Sequence, residues 1–95
     1  MTTIGIIGFG SFGKFLAEKL SSYCVVKVYD RRERSTTWRA DFDEVAACDY
    51  IVLSVPLGAY PETLERLATV IAPGSVLVDV CSVKERPVEL TRQYL

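Results

Sequence analysis

At 95 residues the chain is long enough for one domain with its own core and short for an enzyme that must also enclose a substrate. Eleven basic and 12 acidic residues leave a formal charge of -1, and 49% of the residues are apolar, a balance that indicates neither a nucleic-acid-binding nor a membrane-embedded protein. No apolar run approaches the roughly 18 to 20 residues of a membrane span, and Met1-Thr2-Thr3 lacks the basic-then-apolar start of a secretory signal, so the cytoplasm is the default location. The absence of histidine removes the commonest general base and the commonest metal ligand, and no metal site is predicted. Cys24, Cys48 and Cys81 form no CxxC pair and read as small buried thiols.

The chain opens on Ile4-Gly5-Ile6-Ile7, an apolar run of the kind found in a central parallel strand covered on both faces. From Ser11, the residues Phe12, Phe15, Leu16 and Leu20 recur at helical spacing and predict a helix to about Ser22 with these side chains toward the core. Val25, Val26, Val28 and Tyr29 predict a second strand ending at Asp30. The polar stretch from Arg31 to Thr37 reads as a loop into a brief strand near Trp38 to Ala40, with no second crossover helix. Asp41 or Asp43 suits the cap of a short helix through Ala47, and Tyr50 to Val55 reads as a buried strand stopped by Pro56. Pro61 fits the first turn of a helix whose Leu64, Leu67, Ala68 and Ile71 share a face and which ends at Pro73-Gly74. Val76 to Val80 is the next strand, and residues 84–95 carry a last helical pattern. Strands alternating with helices predict an α/β fold: a doubly wound, mostly parallel sheet in three layers, αβα, forming one domain over residues 1–95.

The chemistry is carried by Gly8-Phe9-Gly10-Ser11-Phe12-Gly13, a GxGxxG motif that follows a predicted strand and opens a predicted helix. The first glycine permits the tight turn, the second admits a pyrophosphate to the backbone, and the third lets helix and strand approach. Unpaired N–H groups and the helix dipole favour an anion at that point, so these six residues are the candidate phosphate cradle of NAD or NADP, a Rossmann-type site. Asp30 lies 22 positions after Gly8, where an acidic side chain accepts hydrogen bonds from the adenosine ribose and favours NAD. Arg31 and Arg32 follow at once and suit a 2′-phosphate, which tips the reading slightly toward NADP. Ser54, Val55, Pro56 and Leu57 close a strand at its carboxyl edge, where the nicotinamide half belongs, and backbone contact is their expected role; Pro56 equally serves to end the strand.

Three blocks, IGIIGFGSFGKFLAEKL from Ile4, IVLSVPL from Ile51 and VDVCSVKERP from Val78, resemble the nucleotide-binding domain of the prephenate and arogenate dehydrogenases of tyrosine biosynthesis. The last block is the most family-specific. The resemblance implies oxidative decarboxylation of prephenate or arogenate with hydride transfer to NAD(P), and it places Ser82 beside nicotinamide and substrate; Ser82 also fits a helix-capping box with Glu85. It further implies a catalytic histidine motif and a helical, dimerising domain, neither of which occurs within these 95 residues, so the chain is expected to be catalytically incomplete alone and to be completed as a homodimer or by a partner chain. Two other readings stand beside it. One is a free-standing NAD(P) sensor or interaction module without catalysis. The other is the domain of another Rossmann reductase, such as a hydroxyacid dehydrogenase.

Overall fold

The computed structural model describes residues 1–32 and 36–79. Val80, Cys81, Ser82 and the helical pattern over 84–95 lie outside them. Among the described residues the strands and α-helices follow in order: β1 (Thr3–Ile7), α1 (Ser11–Leu20), β2 (Val25–Tyr29), α2 (Phe42–Ala46), β3 (Tyr50–Leu53), α3 (Tyr60–Ala68) and β4 (Val76–Asp79), with a short 3-10 helix, Leu57–Ala59, between β3 and α3. The strands form one parallel sheet in the order β2-β1-β3-β4, with Ile7 level with Tyr29 on one side and with Leu53 on the other. The direction of winding reverses beside β1, which makes its carboxyl end the topological switch point.

Alternation along the strands sorts the core into two halves. Ile4, Ile6, Val26, Val28 and Val52 pack with Ala17 of α1 on one face. Ile7, Ile51 and Leu53 pack with Phe42, Val45 and Ala46 of α2 and with Tyr60, Leu64 and Leu67 of α3 on the other. These are the three αβα layers. Gly5 lets α2 settle onto the sheet, since a Cβ there would stand 2.6 Å from both the carbonyl oxygen and Cγ1 of Val45. Asp41 caps α2 in a reciprocal box with Glu44, whose Oε1 accepts the Asp41 N–H at 3.0 Å. Cys48 is buried beneath this helix, and desolvation pushes its thiol pKa up, as expected of an inert structural cysteine. Cys24 is partly buried against the other half of the core.

Four expectations change in detail. Phe12 and Phe15 are not core residues: they are 47% and 52% exposed, and the buried positions of α1 are Gly13 and Ala17. The helix comes so close to β1 at Gly13 that only small side chains fit between them, which turns the two rings outward to stack on each other at 6.3 Å. The strand near Trp38 to Ala40 shrinks to a single parallel bridge between Arg39 and Val28. β3 stops at Leu53, because Ile7 is the last residue of β1 beside it; Ser54 N–H still donates to the Ile7 carbonyl at 2.8 Å before the chain departs. α3 ends at Ala68, which is exposed, and Ile71 is held by its N–H on the Leu67 carbonyl at 2.8 Å.

Candidate functional site

The carboxyl ends of β1, β2 and β3 bring the glycine turn, Asp30 and Ser54 together. Gly8 leaves β1 with φ +101°, a conformation that L side chains resist, and donates its N–H to the Tyr29 carbonyl at 2.8 Å. A Cβ at Gly8 would lie 2.5 Å from the Ser54 carbonyl oxygen and 3.0 Å from Val55 Cγ1, so the segment expected near the nicotinamide sits directly against the first glycine. Gly13 is as constrained: its Cβ would meet the Gly8 carbonyl oxygen at 2.3 Å. The turn and the first turn of α1 are therefore folded onto each other, and neither glycine tolerates a side chain.

Gly10 differs. A Cβ there would meet nothing within 4 Å, so the space in front of the turn is open. Gly10 is also the residue before α1, and the first helical bond is Lys14 N–H to its carbonyl at 2.9 Å. The N–H groups of Ser11, Phe12 and Gly13 precede that bond, and no acidic residue stands in the first turn to compete for them. An open approach over unpaired donors at a helix start suits a pyrophosphate in both shape and charge. The residues present fit a dinucleotide.

Asp30 is tied to this turn. Its Oδ2 accepts the Phe9 N–H at 2.5 Å and its Oδ1 accepts the Arg32 N–H at 2.7 Å, so one carboxylate bridges the glycine turn and the loop after β2. Arg31 reaches the other way, to Glu62 at the start of α3, at 3.6 Å with both side chains largely exposed. Between these groups is a recess lined by Tyr29, Asp30, Arg39, Ala40 and Asp41. The Tyr29 ring is fixed by an edge contact with Phe42 at 5.2 Å, and Arg66 lies 4.1 Å from the centre of the Phe42 ring while donating to the Tyr29 hydroxyl at 3.1 Å. Arg39 was not among the residues singled out from the sequence. An isolated arginine between Trp38 and Ala40 carries no periodicity, and only the bridge to Val28 brings it beside Asp30.

On the far side, Tyr60 is fully buried at the start of α3 and its hydroxyl donates to Asp79 Oδ1, anchoring the end of β4. Pro56 is exposed beyond Ser54 and Val55, both half-buried. Among the described residues there is no cluster of His, Cys, Asp and Glu able to hold a metal ion, and no helix is long and apolar enough to cross a membrane.

A parallel sheet with a glycine turn at its switch point, bound by an acidic residue at the end of the next strand, defines a dinucleotide-binding domain of the Rossmann type. The chain belongs to the family described as prephenate dehydrogenase, nucleotide-binding domain, whose sequence model matches residues 28–95. That match begins after the glycine turn, so family membership and the turn are independent observations. The T-protein of Haemophilus influenzae (strain ATCC 51907 / DSM 11121 / KW20 / Rd) is 31% identical over 81 residues, covering 84% of this chain and 20% of its own length. The crystal structure of Synechocystis arogenate dehydrogenase superposes with a TM-score of 0.78 at 23% identity, over 94% of this chain and 37% of that one. NAD-dependent formate dehydrogenase from Staphylococcus aureus, in complex with NAD, gives 0.72 at 24% identity over 98% of this chain and 32% of that one. The two structures share the fold, and the chain spans between a fifth and two fifths of the length of these three relatives.

Proposed function

We propose that residues 1–95 form the cofactor-binding domain of a cytoplasmic dehydrogenase that oxidatively decarboxylates prephenate or arogenate, completed by a helical, dimerising domain in a longer chain or a partner. The observation that carries the reading is the contrast within the turn: Gly8 and Gly13 are closed by backbone at 2.5 and 2.3 Å, whereas Gly10 opens onto free space over the start of α1. In this reading Gly8 to Gly13 hold the pyrophosphate, Asp30, Arg31 and Arg32 surround the adenosine end, and Ser54, Val55, Pro56 and Leu57 border the nicotinamide. Bound there, the nicotinamide supplies the hydride acceptor.

The protein's own part is orientation. The part-buried Tyr60–Asp79 bond fixes the end of β4, and the family resemblance gives Ser82, three residues further along the sequence, the role of orienting substrate against the nicotinamide edge. The two consecutive arginines after Asp30 suit a 2′-phosphate and tip the reading slightly toward NADP, against the Asp30 carboxylate, which suits a free ribose hydroxyl. The test is a fusion of this chain to the helical domain of an arogenate dehydrogenase, assayed for reduced cofactor with prephenate and with arogenate. The fusion should oxidise at least one of the two, and Ser82→Ala should lower its turnover by about ten- to a hundredfold with cofactor affinity unchanged. A fusion that binds cofactor yet oxidises neither compound would assign the domain to sensing.

A further inference from the structure

We infer that the uncovered sheet face beside α1, walled by Phe12 and Phe15 and floored by Tyr50, Val76 and Val78, is the seat of an amphipathic helix from the domain that completes the enzyme. The inference rests on the reading above that the chain is one part of a dehydrogenase, and it says where the other part docks.

Topology leaves this face open. A parallel sheet buries both of its faces. The half formed by β1 and β2 has α1 on one face and α2 on the other, and α3 covers β3 and β4 on the same face as α2. Opposite α3, no helix among the described residues lies on β3 and β4. Tyr50 stands level with Val76 and Val52 with Val78, so these four side chains share the α1 face of the sheet. Val52 is buried in the α1 half of the core, whereas Tyr50, Val76 and Val78 are 43%, 49% and 37% exposed. A right-handed crossover that extends the sheet past β4 runs over the α3 face, as α3 itself does, so growth of the sheet does not close the gap.

The wall comes from α1. Gly13 and Ala17 face the sheet, and at about 100° per residue Phe12 and Lys19 fall on the flank toward β3, with Phe15 beside them. The two rings stack on each other and remain half in water. With the tyrosine and the valines they make an apolar patch on the order of a few hundred Å², the size that marks an interaction surface on a monomer.

Dimensions, charge and position together define the occupant. The four residues of β4 span about 13 Å and the ten of α1 about 15 Å, so a helix of about three turns fills the trough, completing the outer layer beside α1. Lys19 stands exposed on the rim with its ammonium 5.7 Å from the centre of the Phe15 ring, which calls for an acidic residue next to the apolar stripe of the incoming helix. Phe12 belongs both to the glycine turn and to the wall, so a helix seated here reaches the mouth of the cofactor site, where the substrate-bearing part of the enzyme has to stand. The chain covers 37% of the arogenate dehydrogenase on which it superposes, and the remaining length of such an enzyme is the source of that helix.

The experiment is hydroxyl-radical footprinting, read by mass spectrometry, of the 95-residue chain alone and of its fusion to an arogenate dehydrogenase helical domain. Phe15 and Tyr50 should react at least about fivefold less in the fusion, because the core of an interface excludes water. Tyr23, exposed in the turn between α1 and β2, should react alike in both. Phe15 and Val76 are each about half exposed, so the Phe15→Ser/Val76→Lys chain should keep the melting temperature and cofactor affinity of the wild type. In the fusion the same pair should return Tyr50 to within about twofold of its reactivity in the chain alone. Equal reactivity of Phe15 and Tyr50 in chain and fusion overturns the docking face and leaves the cofactor site untouched. A chain that sediments alone as a dimer and becomes a monomer with Val76→Lys overturns it too, since the occupant is then a second copy. Protection in a fusion that oxidises neither prephenate nor arogenate supports the docking face and overturns the dehydrogenase reading instead.

Discussion

Three glycines of one motif carry different physical loads. Gly8 is required by its backbone angle, Gly13 by a carbonyl oxygen 2.3 Å from where a Cβ would go, and Gly10 by neither. Gly13→Ala should therefore cost about 1–3 kcal/mol and lower the melting temperature by several degrees, while Gly10→Ala stays within about 1 kcal/mol of the wild type; thermal unfolding followed by circular dichroism checks both. Much at this scale was legible in advance, because a GxGxxG spacing followed 22 positions later by an acid encodes backbone geometry and not composition alone. Asp30 was legible as a position and not in its contacts. A carboxylate at that point can serve a ribose and a backbone N–H together, and only the structure shows that the Phe9 N–H comes near enough to be bound. Arg39 was illegible because its neighbour in space is 11 residues away along the sheet edge, in the loop where sequence periodicity fails.

Among the elements, periodicity named the helices and misjudged one face. In α1 it followed residue type, so Phe12 and Phe15 were placed inside, whereas the closest approach to the sheet belongs to Gly13 and Ala17. Close packing excludes large side chains from such a contact, and no count of apolar residues reveals it. α3 shows the opposite case: Leu64 and Leu67 are fully buried where the pattern put them, beneath a Pro61 in the first turn. The contrast sets a prediction. Leu64→Ala should cost about 2–5 kcal/mol, since it leaves a cavity against Ile51 and Leu53, and Phe15→Ser should stay within about 0.5 kcal/mol because its ring is half in water; urea unfolding of the two variants measures both.

At the scale of the whole molecule, two α/β halves meet along β1, and the switch point beside it gathers the turn, Asp30 and Ser54. The doubly wound parallel sheet followed from the alternation of apolar runs and helices, and the missing crossover helix after Asp30 was legible in its polar loop; that the strand near Trp38 to Ala40 is reduced to one bridge beside a recess was not. The chain spans a fifth of the T-protein and about a third of the two superposed dehydrogenases, and cofactor binding is the property to measure on it. The most direct measurement is titration of NADP and NAD into the 95-residue chain beside Gly10→Val, which fills the open approach to the turn. One-site binding by the wild type is predicted, weakened at least about tenfold in a Gly10→Val protein that unfolds at the wild-type temperature. A wild type that binds neither cofactor, or a Gly10→Val protein that binds as well as the wild type, would contradict the placement of the pyrophosphate on Gly8 to Gly13.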